Sequence, residues 1–244
     1  MVAELIEGVD AAEPHTLSEP RVLPCHYGLP WKDGAPRYQL IETIARGTRG
    51  TVYRGKDRAL SNPDKPADVA VKVIASWTGM AFGDVLAEAI RAKQINHPNV
   101  ARVLDVGEAN PSECFIVFEF VDGVTLERYL DQAPTRPGNR VSVELLLPAL
   151  EGLAAAHDNG LAHLDIHPKN VLIDRSGQPS LIDFGLGVAA YEAWRPAERP
   201  LGSLGFMAPE TYARSHGASP LRCDVYCASG LLFWCITGVI PNGQ

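Results

Sequence analysis

Residues 163–170 read HLDIHPKN, and they place an Asp and an Asn, Asp165 and Asn170, on what the pattern predicts to be a short loop. The loop leads into VLID-RSGQ-PSLID, residues 171–183, which has the spacing of a β-hairpin. An antiparallel hairpin brings its two ends side by side. Asn170, just before the first strand, and Asp183, just after the second, are therefore expected to be neighbours, with Asp165 on the loop entering the same hairpin. Two carboxylates and an amide at one spot suit a magnesium ion and a nearby proton acceptor. Magnesium takes a few such oxygens and completes its shell with water and substrate phosphate.

A second constellation lies upstream. In ARGTRGTV, residues 45–52, Gly47 and Gly50 let the backbone approach a phosphate chain closely. In DVAVKVIA, residues 68–75, Lys72 shares a strand face with Ala70. A lysine there can reach a phosphate, and the small Ala70 leaves room for a flat ring. Glu88, on the helix that follows, is a candidate partner to hold Lys72 extended.

These residues need elements to carry them. Residues 38–57 read as strand, glycine-containing turn and strand; in 68–75, Val69, Val71 and Val73 face one way and Ala70, Lys72 and Ile74 the other. Residues 82–96 have helical character, stopped by HPN, and ARVLDVGE and CFIVFEF read as two further strands. The chain then turns helical. DGVTLERYL predicts a short helix with Thr125 near its start. Residues 143–159 carry Leu146, Leu147, Leu150, Leu153, Ala154 and His157 at helical spacing, with Gly160 as C-cap. The uncharged run 225–240 reads as a core helix after Asp224; it falls short of the roughly 18–20 apolar residues of a membrane span, and an anchor is the lesser alternative. Residues 1–36 are acidic and dotted with Pro and Gly, and are expected to be disordered or strapped along the domain.

Of the 244 residues, 46% are hydrophobic and 21% charged, as in an ordinary globular protein, and the formal net charge of −7 argues against nucleic acid or an anionic membrane as main partner. Five cysteines, none in a C-x-x-C pair, point away from a disulfide framework or zinc site and toward a reducing cytoplasm.

Taken in order, ARGTRGTV, VAVK at 69–72, Glu88 ahead of HPNV, HLDIHPKN, DFG at 183–185, APE at 208–210 and Asp224 resemble the motif set of the eukaryotic-type protein kinase superfamily, close to its bacterial Ser/Thr members. The resemblance covers residues 38–244. It implies an α+β bilobal fold: an N-terminal extension at 1–36, a small β-rich lobe and hinge at 37–121, and a helical lobe at 122–244. It also implies the cofactors ATP and Mg2+ and a protein substrate phosphorylated on Ser or Thr. Lys72 would contact the α- and β-phosphates with Glu88 as partner. Asp165 would accept or orient the hydroxyl proton, and Asn170 and Asp183 would hold magnesium. The backbone of Glu119 and Val121 would meet adenine, with Phe118 as gatekeeper and Val52, Ala70 and Leu172 around the ring.

The chain departs from the family pattern at several places. Ala45 stands for the first glycine of the loop, at a cost of about 1–2 kcal/mol if the position needs a left-handed backbone. Leu164 stands for the arginine that reads an activation-loop phosphate. Between Asp183 and Glu210 the hydroxyl side chains are Tyr191 and Ser203, and Ser203 fits the substrate-side position, so activity is expected without Ser/Thr phosphorylation of that loop. His167 stands for the usual lysine, Lys169 is expected to serve the same spot, and D-I-H-P-K-N is also similar to the loop of aminoglycoside and choline kinases. His167 itself reads either as catalytic or as a neutral loop residue. Ala92 replaces a bulky residue expected to pack toward Phe184. The helical lobe is expected to be incomplete, leaving 225–240 to be covered by a partner, an oligomer, N-terminal residues or further chain. A small-molecule kinase and a nucleotide-binding pseudokinase are the alternative readings.

Overall fold

The alternation along Asp68–Ala75 builds the small lobe. Val69, Val71 and Val73 point into one apolar cluster with Tyr27, Tyr38, Leu40, Tyr53, Phe115 and Val117. Ile74 and Ala70, on the opposite face, join a larger core shared with the helices. The computed structural model describes residues 25–30, 34–47, 50–61, 67–75, 82–110, 113–184, 205–212 and 219–242. Tyr191, Ser203, Gly185 and residues 1–24 lie outside them.

Six strands form one antiparallel sheet: β1 (Cys25–Pro30), β2 (Pro36–Gly47), β3 (Gly50–Asp57), β4 (Asp68–Ala75), β5 (Val103–Asn110) and β6 (Glu113–Glu119), in the order β1-β2-β3-β4-β6-β5. β1 falls within the segment set apart as an extension. Tyr27 holds it there by packing edge-on against Phe115, with ring centroids 5.5 Å apart, and Tyr38 meets the same ring at 6.1 Å. Burial and the Asp105 carboxylate, whose Oδ2 accepts the Tyr38 hydroxyl at 2.6 Å, push the Tyr38 phenol up. Arg37 grips Asp57 through two bonds of 2.9 and 2.6 Å.

Helix α1 (Phe82–Ala92) buries Val85, Glu88, Ala89 and Ala92. It stops short of the expected Asn96 because the next turn tightens: Gln94 and Ile95 donate to the carbonyls three residues back, Arg91 and Ala92. Ala92 lies in the same core as Phe184.

Beyond the hinge, β7 (Gly123–Thr125), β8 (Val171–Asp174) and β9 (Pro179–Leu181) make a three-stranded sheet. Thr125 caps α2 (Leu126–Asp131), its Oγ1 accepting the Arg128 amide at 3.3 Å. The long helix α3 (Asn139–Asp158) begins before the expected Val143. It is followed by α4 (Pro209–Tyr212) and α5 (Pro220–Thr237).

α5 corrects the sequence reading twice. It starts at Pro220, ahead of Asp224, because proline at the first position is pre-set for a helix. It ends at Gly238, whose φ of 76° forms a left-handed cap with its N–H on Trp234 O at 2.8 Å. Only one face is buried, through Cys223, Asp224, Cys227, Ala228, Gly230, Leu231, Trp234 and Cys235, while Val225 and Phe233 are exposed. Among the described residues no helix is long and apolar enough to cross a membrane.

The two lobes are stitched by residues 99–101. Val100 bridges Leu181 in parallel; Ala101 N–H donates to Leu181 O at 2.9 Å and Leu181 N–H to Asn99 O at 2.8 Å. α3 presses on this stitch at Gly152, where an added Cβ would lie 2.8 Å from Val100 Cγ2 and 3.0 Å from Asn99 O. Alanine is the better helix former by about 1 kcal/mol. Overpacking against a stiff valine and a backbone oxygen costs about 1–3 kcal/mol and outweighs it. Gly152→Ala is therefore expected to lower the melting temperature. An unchanged or raised value in thermal denaturation would show that the contact gives way freely.

Candidate active site

The loop 163–170 is held from below by one side chain. Asp224, fully buried on α5, accepts the His163 N–H on Oδ2 and the Leu164 N–H on Oδ1, both at 2.7 Å. Its Oδ2 also lies 2.9 Å from His157 Nε2 on α3. Leu164 sits at a φ of 58°, a left-handed backbone that costs a bulky residue energy and persists only where its surroundings impose it. The Asp224 carboxylate is the surrounding group that does so.

From that anchor the loop is ordered by a chain of polar contacts. His163 Nε2 donates to Ile182 O at 2.8 Å, which leaves Nδ1 to accept the Asp165 N–H at 3.3 Å. The His163 ring stands edge-on to Phe184, 4.5 Å between centroids. Asn170 Nδ2 donates to Asp165 O at 2.9 Å and reaches its Oδ2 at 3.3 Å. Asn170 O accepts the Ile182 N–H at 3.0 Å, so the two ends of the hairpin meet and Asn170 lies beside Ile182, the residue before Asp183.

Asp183 is the second non-glycine residue with positive φ, at 72°. Both its oxygens lie 2.6 Å from Lys72 Nζ. Lys72 is only 4% exposed, and an ammonium so buried needs a carboxylate against it. Asp183 supplies one, and Glu88, the partner expected from the sequence, is buried on α1. The asparagine and aspartate carry hard oxygen donors of the kind magnesium prefers, and Asp183 stands beside a lysine suited to phosphate.

The residues expected around a flat ring lie on strands of both sheets. Val52 is paired across the sheet with Lys72, and Ala70 with the buried Phe118. Leu172 lies on β8 opposite Ser180. Glu119 N–H donates to Arg102 O at 2.9 Å and its carboxylate takes the Arg102 guanidinium at 3.0 Å; Val121, two residues on, is half-buried.

Three positions differ from expectation. Ala45 lies in β2, paired with Val52, and its φ is not positive, so no left-handed penalty arises there. Gly50, at φ 141°, is required for another reason: a Cβ would run into the carbonyl oxygen of Val73, while one on the exposed Gly47 would make only an ordinary contact, 3.8 Å from Gly50 O. Lys169 does not reach Asp165. Its side chain is 64% exposed and its Nζ lies 3.7 Å from Glu127 Oε2 on α2, because the 3-10 turn Pro168–Asn170 swings it outward. His167 takes the inner place, its Nε2 3.6 Å from Asp165 Oδ1. Sequence reasoning missed His157 and His163 as site residues. A signal was present for His157, a polar ring on the apolar stripe of α3.

Comparison with known proteins gives this geometry a lineage. The protein kinase domain family matches residues 38–243. This chain belongs to the eukaryotic-type serine/threonine protein kinase superfamily. It is 35% identical over 212 residues to the probable serine/threonine-protein kinase PknB of Lactococcus lactis, covering 85% of this chain and 32% of that protein. It is 36% identical over 209 residues to the serine/threonine-protein kinase PknL of Mycobacterium bovis, covering 84% of this chain and 50% of that one. The chain thus spans about a third to a half of the length of these curated relatives. The solved kinase domain of Mycobacterium tuberculosis PknI, a cysteine-to-alanine mutant, superimposes with a TM-score of 0.65 at 23% identity, over 84% of this chain and 75% of that one, which is a likeness of fold.

In this kinase fold the Asp224 anchor can be tested directly. Asp224→Ala leaves two buried amides and a histidine without their acceptor, and is expected to cost about 3–5 kcal/mol in urea unfolding. A loss below about 1 kcal/mol, the size of one ordinary hydrogen bond, would mean the loop holds its shape unaided.

Proposed function

We propose that this chain binds ATP with magnesium and transfers the γ-phosphoryl group to serine or threonine hydroxyls of a protein, with no need for Ser/Thr phosphorylation in residues 183–210. The observation that carries this reading is the convergence of Lys72, Asp165, Asn170 and Asp183 at the junction of the lobes. Magnesium, held by Asn170 and Asp183, would neutralise charge on the phosphates and orient them. Lys72 would bind the α- and β-phosphates, with Glu88 on the adjoining helix to steady it. Asp165 would take or orient the proton of the attacking hydroxyl. Gly47, Gly50 and Val52 would lie over the nucleotide, Ala70 and Leu172 would flank its ring, and the backbone of Glu119 and Val121 would meet its edge.

Leu164 supports the activation-loop statement. An arginine there could read a phosphate, and a leucine cannot. Its backbone is held instead by the Asp224 carboxylate. A reducing cytoplasm suits the five free cysteines. Burial pushes the Cys114 thiol to about 11 and those of Cys227 and Cys235 to about 12, so these behave as core residues and not as nucleophiles.

The test is transfer of labelled γ-phosphate from ATP with magnesium to the protein itself, to a generic basic protein, to an aminoglycoside and to choline. Transfer to protein serine or threonine is expected, reduced by at least about 10²-fold in Asp165→Asn and in Asp183→Ala. Treatment with a Ser/Thr phosphatase should leave the rate unchanged. Transfer to the small acceptors alone would make this a small-molecule kinase. Nucleotide binding without transfer to any of them would make it a pseudokinase.

A further inference from the structure

His167 occupies the place that the sequence pattern assigns to Lys169. Its side chain is only 12% exposed, and its two ring nitrogens face different groups. Nδ1 accepts the backbone N–H of Lys169 at 3.3 Å, as the cap of the 3-10 turn. Nε2 lies 3.6 Å from Oδ1 of Asp165. The first contact decides the second. A ring nitrogen that accepts a hydrogen bond carries no proton, so the neutral ring has its proton on Nε2, aimed at Asp165.

Asp165 is thereby bracketed. Asn170 Nδ2 stands 3.3 Å from Oδ2, the His167 ring stands on the Oδ1 side, and the Asp165 amide is tied to His163. The Asn170 amide is one donor to the carboxylate, and the His167 ring, beside the other oxygen, is placed to become a second. The 3.6 Å separation is longer than a hydrogen bond, and contacts of this kind commonly tighten once substrate is bound.

We propose that His167 is a positioning residue for Asp165: its Nδ1 is anchored on the turn, and its Nε2–H fixes the orientation of the carboxylate that meets the substrate hydroxyl. This rests on the kinase reading above. It assigns the histidine a donor's role through one nitrogen, different from the phosphate-neutralising charge of a lysine.

The two nitrogens can be separated. Asparagine places its oxygen where Nδ1 sits and supplies nothing at Nε2. Glutamine places its amide N–H near Nε2 and gives up the cap. His167→Ala and His167→Asn are expected to lower kcat by about tenfold to a hundredfold with KM for ATP little changed, as for a misplaced catalytic group. His167→Gln should recover most of that loss. The opposite pattern, with asparagine active and glutamine as poor as alanine, would overturn the proposal and leave His167 as a turn cap. Asp165→Asn runs alongside as the inactive reference.

A second readout does not depend on turnover. Nitrogen-15 spectra of the histidine rings should show His167 protonated on Nε2, with that signal shifted in Asp165→Asn. A proton on Nδ1, or a signal indifferent to Asp165, would overturn the proposal. If the wild-type chain transfers no phosphate, the kinase reading fails by itself, and these spectra still decide whether His167 orients Asp165.

Discussion

The rest of the site depends on a carboxylate buried behind the loop that carries Asp165. Asp224 is buried on α5, and its two oxygens take the amides of His163 and Leu164 and meet the His157 ring. A charge with no water around it is stable only when hydrogen bonds surround it. Here those bonds come from two segments far from Asp224 in sequence, α3 and the loop 163–170. Satisfying one buried charge therefore fixes where the loop lies relative to both long helices. Asp165 follows from His163, Asn170 from Asp165, and the hairpin end from Asn170.

The same logic explains where the backbone is strained. Among the described non-glycine residues, positive φ occurs at Leu164 and Asp183 alone. Both lie against the hairpin, and both are held by a charge-assisted contact: Leu164 by Asp224, Asp183 by Lys72. Unfavourable backbone conformations persist where surroundings over-determine them. Neither position could relax without breaking a short polar contact.

How much of this the sequence reveals varies with the range of the interaction. The alternation in β4 is local, and it assigns Val71 and Ile74 to opposite faces correctly. The hairpin is local too, so the meeting of Asn170 with the hairpin's far end, just before Asp183, follows from spacing alone. The Lys72–Asp183 pair spans 111 positions, and nothing near either residue announces it. The inward turn of His167 and the outward turn of Lys169 depend on a three-residue 3-10 turn whose geometry is invisible in a string of residue types. The start of α5 is legible in Pro220, but the apolar run begins later and pulls the expected boundary with it. β1 escapes because a short strand amid Pro and Gly has no pattern of its own. What holds it is pairing with β2 and the contact of Tyr27 with Phe115, which is distant in sequence.

That strand bears on how the protein is handled at the bench. The family match begins at residue 38, while Cys25–Pro30 lies upstream of it. A recombinant boundary drawn from family likeness would cut through an apolar cluster. It would leave Phe115 without its Tyr27 cover and turn β2 into an unpaired edge, the kind of surface that recruits strands from neighbouring molecules. Insolubility of such a fragment would reflect the position of the cut and say nothing about the catalytic competence of the kinase.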